Sequence, residues 1–272
     1  MNCYFDTSIY NQILDEPDNN LLIKQIKKKH ITAIPSLLNL CEILQTPDKV
    51  RKLSLLRIYE EIRGEYHHLK PFTTLLRDAV STIQEGNIYV EVNMPVAIND
   101  VTEQLCKDAL KDSGKGFDEY ALRARDWLFG EQRIKTLPDA KTFFETSHAE
   151  RMNQIWINLF MGACKGLGIE ELRLDEDTIL RMIKDSHSPW KYYLDTTLLI
   201  FHRRAMRTEG YGRKSNPSGT DLEQCIYLCW AEIYVIEDGV FYEFIKELKE
   251  VLGYKKKIFN YNEFKEFLGL IN

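Results

Sequence analysis

The sequence predicts an α/β fold in which a parallel sheet is interrupted by a long, mostly helical insertion. Near each end of the chain, short apolar runs of strand length alternate with helical patterns, which is typical of a parallel sheet. Between about residues 48 and 212, helical patterns dominate instead. We therefore predict that residues 1–47 and 213–272 form one α/β core, and that residues 48–212 are inserted into it.

The first part of the core begins with an apolar run that stops at an aspartate, Asp6. Asp6 or Thr7 is expected to cap the helix that follows, and Ser36 is expected to cap a later one, because side-chain oxygens at these positions accept free helix N–H groups. The predicted elements, in order, are strand 2–5, a short helix, helix 20–29, strand 31–34 and helix 37–44.

The insertion has the 3.6-residue apolar spacing of helices over most of its length. The predicted helices are 48–63, 72–84, 97–112, 117–129, 138–166, 176–185 and 190–207. Residues 88–92 are predicted to form either a strand or an extended connector.

The second part of the core returns to alternating patterns. Thr220 and Glu223 match a capping box, which predicts a helix that begins at Thr220 and runs to about Cys229. The remaining predicted elements are strand 232–236, an amphipathic helix after Asp238, strand 257–260 and a terminal helix.

The composition of the chain bears on nucleic-acid binding, on disulfide bonds and on location in the cell. The 272 residues carry a net charge of −5, so no global basic field indicates nucleic acid, and any such site would be a local patch. The six cysteines are scattered without a CxxC motif, and Cys225 and Cys229 are expected in the core. Neither a signal peptide nor an apolar run of membrane-spanning length is present, so we expect a cytoplasmic protein with reduced thiols and no membrane partner.

Four acids, Asp6, Glu42, Asp221 and Asp238, stand out by position. Asp6 and Asp238 end predicted strands, where open α/β sheets bind ligands, and Asp221 lies in the first turn of a helix. Glu42 lies in an apolar helix, where an unpaired charge is costly to bury. Mg²⁺ or Mn²⁺ would neutralise converging carboxylates, and two such ions about 3.5–4 Å apart can clamp an in-line attack on phosphate. Each acid alone could instead be a helix cap or face solvent.

Four short motifs resemble those of PIN-domain nucleases. They are YFDTS at residues 4–8, LLNLCEIL at 37–44, GTD at 219–221 and VIEDGVF at 235–241. The segment 257–268 is also similar to the usual end of the family's domain. The resemblance covers residues 1–47 and 213–272. It implies a Rossmann-like parallel sheet, one or two Mg²⁺ or Mn²⁺ ions held by the four acids, and hydrolysis of RNA phosphodiesters, as in VapC-type toxins.

The chain departs from the family pattern in two respects. Ile236 occupies the position, two residues before the last aspartate, where the family usually has threonine or serine. The long helical insertion separates the second and third motifs and resembles no segment of the compact toxins. The resemblance therefore carries no substrate preference over to this chain.

Candidate substrate-binding residues surround the acids. Ser8 could donate a hydrogen bond to a phosphate or to a metal-bound water. A basic stretch that includes Arg203 precedes Asp221, and its side chains could hold phosphates. The other candidates in this stretch are Arg204, Arg207, Arg213, Lys214 and Asn216. A solvated helix end is the alternative interpretation of the stretch.

We therefore predict a metal-dependent endoribonuclease whose catalytic and metal-binding residues are the four acids. One alternative is a degenerate PIN-like module that binds RNA or protein without cutting, and another is a structure-specific DNA nuclease. The resemblance to PIN-domain nucleases also implies a role as a toxin or in defence. A protein with such a role is expected to have an inhibitory, antitoxin-like protein partner. The oligomeric state stays open, with a homodimer as one option.

Overall fold

A parallel sheet lies at the centre of the fold. The computed structural model describes residues 1–63, 68–87, 93–94, 101–111, 138–146, 149–206, 219–237 and 239–271. The strands within these ranges are β1 (Asn2–Phe5), β2 (Thr32–Ala33), β3 (His68–Leu69), β4 (Asn93–Met94), β5 (Ile233–Ile236) and β6 (Lys257–Asn260). The sheet has the order β2-β1-β5-β6 with every neighbouring pair parallel, whereas β3 and β4 form a separate antiparallel pair. The predicted α/β class is confirmed.

Helices account for most of the remaining described residues. In chain order they are α1 (Thr7–Asp15), α2 (Asn19–Lys28), α3 (Leu37–Leu44), α4 (Lys49–Ile62), α5 (Phe72–Gln84), α6 (Glu103–Lys111), α7 (Ala140–Thr146), α8 (Ala149–Gly166), α9 (Glu176–Lys184), α10 (Pro189–Met206), α11 (Gly219–Gln224), α12 (Val240–Leu252) and α13 (Tyr261–Leu268). A 3₁₀ turn, Cys225–Cys229, continues α11.

The order of the strands places a topological switch point between β1 and β5, where open α/β sheets have their ligand-binding crevice. From β1 the chain passes through α1 and α2 to β2 on one side, whereas β5 pairs with β1 on the other side. The chain therefore changes direction between β1 and β5. Ligands of open α/β sheets bind at the carboxyl ends of strands at such a switch point.

Helices cover both faces of the sheet, because the side chains of each strand alternate between them. Phe5 and Val235 belong to a core on one face, together with α1, α2, α4 and α13. Tyr4 and Tyr234 belong to a core on the other face, together with α5, α8, α9, α10 and α12. Helices from the predicted insertion, residues 48–212, thus contribute to both layers.

Most of the predicted elements agree with the structure to within a residue or two, and the differences are local. The second strand is shorter than the predicted 31–34, and α6 begins at Glu103, later than the predicted helix 97–112; α7 and α8 lie within the predicted helix 138–166, of which residues 147–148 are outside the described ranges. Thr220 was predicted to cap a helix. Helix α11 begins at Gly219, so Thr220 lies inside the helix and that prediction is wrong. The predicted strand or connector 88–92 and the predicted helix 117–129 lie outside the described residues.

Two compositional expectations can be compared with the structure. No helix in the described ranges is long and apolar enough to span a membrane. All six cysteines are free and buried, so the thiols expected to be reduced form no disulfide. Cys225 and Cys229 belong to the core, as predicted.

Gly239, at the start of α12, has a backbone conformation that other residues adopt at a cost. Its φ is +147°, and no atom of the described residues, its chain neighbours aside, lies within 4 Å of a Cβ built there, so the backbone conformation is the obstacle to a larger residue. We expect Gly239→Ala to lower the free energy of unfolding by about 1–2 kcal/mol in urea denaturation. Gly166→Ala is the matched control, because Gly166 also has open space but no positive φ. Equal losses in the two variants would contradict this account.

Candidate active site at the carboxyl edge of the sheet

Asp6 lies at the switch point between β1 and β5. It follows the last residue of β1 directly, and its backbone N–H donates to the carbonyl of Val235 in β5 at 3.0 Å. The ladder between the two strands therefore extends to Asp6 and holds it at the crevice. Asp238, the corresponding acid after β5, lies outside the described residues.

Glu42 is carried to the same region by α3. Ser36 caps this helix as predicted: its Oγ accepts from the backbone N–H of Asn39 at 3.1 Å, and its own N–H donates to Asn39 Oδ1 at 3.4 Å. Leu40 and Ile43 on either side of Glu42 are fully buried. The apolar surroundings expected for Glu42 are thus present, and its side chain is half-buried.

Asp221 lies in the first turn of α11, as predicted, and the same helix is bonded to the sheet. Gln224, which is 2% exposed, accepts a hydrogen bond from the Tyr4 hydroxyl through Oε1 at 3.3 Å. The Tyr234 hydroxyl donates to the Gln224 carbonyl at 3.0 Å. The Tyr4 ring also stacks on the rings of Tyr227 and Tyr234, with centroids 4.9 and 4.8 Å away. Buried contacts to β1 and β5 therefore hold the helix that carries Asp221.

The charges of two predicted site residues, Asp6 and Asp221, act on a third, Glu42. The pKa of the Glu42 carboxyl is raised from 4.5 to about 7, chiefly by burial. The hydrogen bond from Thr7 acts against this rise, whereas the negative charges of Asp6 and Asp221 add to it. Three acids from separate elements of the chain therefore share one electrostatic environment, and a cation there would relieve their repulsion.

The donor chemistry of these acids fits a hard divalent cation, since carboxylate oxygens are the ligands that Mg²⁺ and Mn²⁺ prefer. In the described part of the chain, which does not include Asp238, no group of three histidine, cysteine, aspartate or glutamate side chains is arranged to hold a metal ion. Asp6, Glu42 and Asp221 thus have suitable oxygens, but these three described acids are not arranged as a metal-binding group.

Small polar side chains orient two of the acids. Ser8 Oγ donates to Asp6 Oδ2 at 2.5 Å, so the hydroxyl that was predicted to contact substrate is bonded to a site carboxylate. Thr7 Oγ1 donates to Glu42 Oε2, and Asn39 Nδ2 donates to Thr7 Oγ1 at 3.0 Å. The sequence interpretation did not assign site roles to Thr7 and Asn39. The available signal was that Asn39 precedes Glu42 by three residues, which places both on one face of α3.

The basic stretch before Asp221 is described only at its beginning. Arg203 pairs with Glu247 of α12, and its guanidinium lies 5.0 Å from the centroid of the Phe244 ring. This side chain therefore joins two helices. The side chain of Arg204 is outside the described part of the chain, as are the predicted substrate-binding residues Arg207, Arg213, Lys214 and Asn216.

Ile236, the position at which the chain departs from the PIN-domain pattern, is a core residue. It is 1% exposed and belongs to the core on the face of the sheet that also contains Tyr4 and Tyr234. Its burial is accounted for by packing in this core.

Comparison with known proteins provides no relative from which a function could be transferred. No protein-family model, no curated protein and no solved structure matches this chain. The resemblance of its four motifs to PIN-domain nucleases therefore stays a prediction, and the functional argument depends on the residues of the site.

The raised pKa of Glu42 has a consequence for stability in metal-free buffer. Native Glu42 holds its proton up to about pH 7, whereas the unfolded chain loses it near 4.5, so stability falls as the pH rises through this window. Glu42→Gln removes this dependence. We expect the variant to match the wild type near pH 4.5 and to exceed its free energy of unfolding by about 2 kcal/mol at pH 8.

Urea denaturation across this pH range, with a chelator present, measures the effect. Glu170→Gln is the control, because it removes a negative charge from an exposed glutamate. If the free energies of unfolding of wild type and Glu42→Gln differed by the same amount at all pH values, the pKa of Glu42 would not be raised in the native state.

Proposed function

We propose that this protein is a metal-dependent endoribonuclease whose site is formed by Asp6, Glu42, Asp221 and Asp238. The observation that supports the proposal is that the charges of Asp6, at a strand end, and Asp221, on a different helix, both act on Glu42 near the β1–β5 switch point. A buried carboxylate with a raised pKa, beside other acids near the ligand-binding edge of an α/β sheet, is a candidate for a functional site. The choice of RNA as substrate follows the resemblance of the motifs to PIN-domain nucleases.

The four acids would hold one or two Mg²⁺ or Mn²⁺ ions. A bound ion would supply Lewis-acid stabilisation of charge on the phosphate and would favour ionisation of an attacking water. The chain's own residues supply the framework: Ser8 orients Asp6, and Thr7 orients Glu42. The described region provides negative charge at the crevice, so binding of an RNA phosphate there depends on the cation and on basic side chains nearby.

A binding module without nuclease activity is the second candidate. It is favoured by the absence of a three-residue metal-binding group among the described residues, and by Ile236 in place of the usual hydroxyl residue. Such a module would bind RNA or a protein partner at the same crevice and would respond weakly to divalent cations.

Asp221→Asn tests the proposed function, because it removes a negative charge and alters a cation ligand with little change in shape. We expect the wild-type protein to cut single-stranded RNA in the presence of Mn²⁺, and the variant to cut at least about 100-fold more slowly. Mn²⁺ should also raise the melting temperature of the wild type through linkage, and should raise that of the variant less.

Asp177→Asn is the matched control, because Asp177 also lies in the first turn of a helix but in α9. Equal rates of RNA cleavage by wild type and Asp221→Asn would contradict the proposed function. RNA binding without cleavage and without a Mn²⁺-dependent shift would support the binding module. Cleavage of flap DNA in preference to RNA would identify a structure-specific DNA nuclease.

A further inference from the structure

A chain of hydrogen bonds ends on the carboxylate of Glu42. Ser36 Oγ donates to Asn39 Oδ1 at 2.8 Å, and Asn39 Nδ2 donates to Thr7 Oγ1 at 3.0 Å. Thr7 Oγ1 in turn donates to Glu42 Oε2. Ser36 and Asn39 are 0% exposed, so the bond between them is shielded from water, whereas the bonds that involve the half-buried Thr7 and Glu42 are partly shielded.

The direction of the chain is determined by the chemistry of its members. Asn39 Oδ1 faces two donors, the N–H and the hydroxyl of Ser36, so a flipped amide would set its NH₂ group against them. In the orientation found, the Asn39 amide donates to Thr7. The hydroxyl of Thr7 has a single proton, and with an oxygen lone pair occupied by Asn39 it directs this proton to Glu42.

The chain also connects two elements that carry site acids. Ser36 and Asn39 belong to the cap and first turn of α3, the helix of Glu42. Thr7 is the first residue of α1 and follows Asp6 directly. The cap of α3 consists of the bonds between Ser36 and Asn39, so the two further bonds are additional to capping. They tie the side chain of Glu42 to the backbone segment that presents Asp6.

We propose that Thr7 and Asn39 are positioning residues that hold the Glu42 carboxylate at a defined place relative to Asp6 for binding a divalent cation. This role rests on the proposed function. Neither residue is required to touch the cation or the substrate: Thr7 acts through Glu42, and Asn39 acts through Thr7. Residues that orient metal ligands commonly change cation affinity by about 10- to 100-fold when they are lost.

A pair of substitutions at Thr7 separates its hydroxyl from its volume. Thr7→Val keeps the shape and removes the donor, whereas Thr7→Ser keeps the donor. We expect Thr7→Val to raise the Mn²⁺ concentration for half-maximal RNA cleavage by at least about 10-fold, and to reduce the rise in melting temperature caused by Mn²⁺. Thr7→Ser should behave like the wild type in both measurements.

Thr142→Val is the matched control, because the Thr142 hydroxyl also donates to a carboxylate, that of Asp139 at 2.8 Å, near the start of another helix. It should leave the response to Mn²⁺ unchanged. Asn39→Ala is a second test; because it removes both the donor to Thr7 and the acceptor of the two Ser36 bonds, the rise in melting temperature caused by Mn²⁺ is measured from the variant's own metal-free melting temperature. We expect it to shift the Mn²⁺ response in the same direction as Thr7→Val.

The outcomes distinguish the positioning role from the proposed function. A wild type that responds to Mn²⁺ together with a Thr7→Val variant that responds equally would overturn the positioning role alone. A wild type that neither shifts in melting temperature with Mn²⁺ nor cuts RNA would overturn the proposed function, and the positioning role with it.

Discussion

The parallel pairing of β1 with β5 is the contact on which the rest of the structure depends. It joins Cys3 to Ile233 and Phe5 to Val235, residues that are far apart in the chain. Because both strands are short and buried on both faces, each relies on the other and on covering helices for its place in the sheet. The same pairing presents Asp6 at the crevice and fixes the strand against which α11 packs through Gln224. Without this strand pairing, acids from the two ends of the sequence would not be brought to the same edge of the sheet.

The crevice combines charges that would repel one another with hydrogen bonds that keep them ordered. Glu42 is half-buried beside Asp6 and Asp221, an arrangement that lowers stability unless a proton or a cation compensates for the charge. The hydrogen bond from Thr7 favours the ionised carboxylate and limits its movement. Ionised Glu42 in this position lowers the free energy of unfolding. Carboxylates with perturbed pKa values are common at functional sites.

The helices between the two parts of the core take part in the fold of the sheet itself. Helix α10 packs in the core on the Tyr4 face, and its Asp195 is 1% exposed. Lys191 donates to Asp195 Oδ2 at 2.8 Å, and the hydroxyl of Tyr254 donates to the same oxygen at 2.6 Å. Tyr254 lies between α12 and β6, so this buried cluster ties α10 to the last crossover of the sheet. Replacing Lys191 or Tyr254 would leave the buried carboxylate of Asp195 with fewer hydrogen-bond donors to compensate its charge.

Local sequence patterns were enough to predict the α/β class, strands 2–5 and 257–260, and the Ser36 cap of α3. Apolar periodicity and cap chemistry depend on near neighbours in the chain, so the residues concerned carry the information. Which distant groups meet could be read from the folded chain alone. The hydrogen bond from Thr7 to Glu42 joins α1 to α3, and the pairing of Arg203 with Glu247 joins α10 to α12. Such contacts depend on how helices pack around the sheet, which no local pattern specifies.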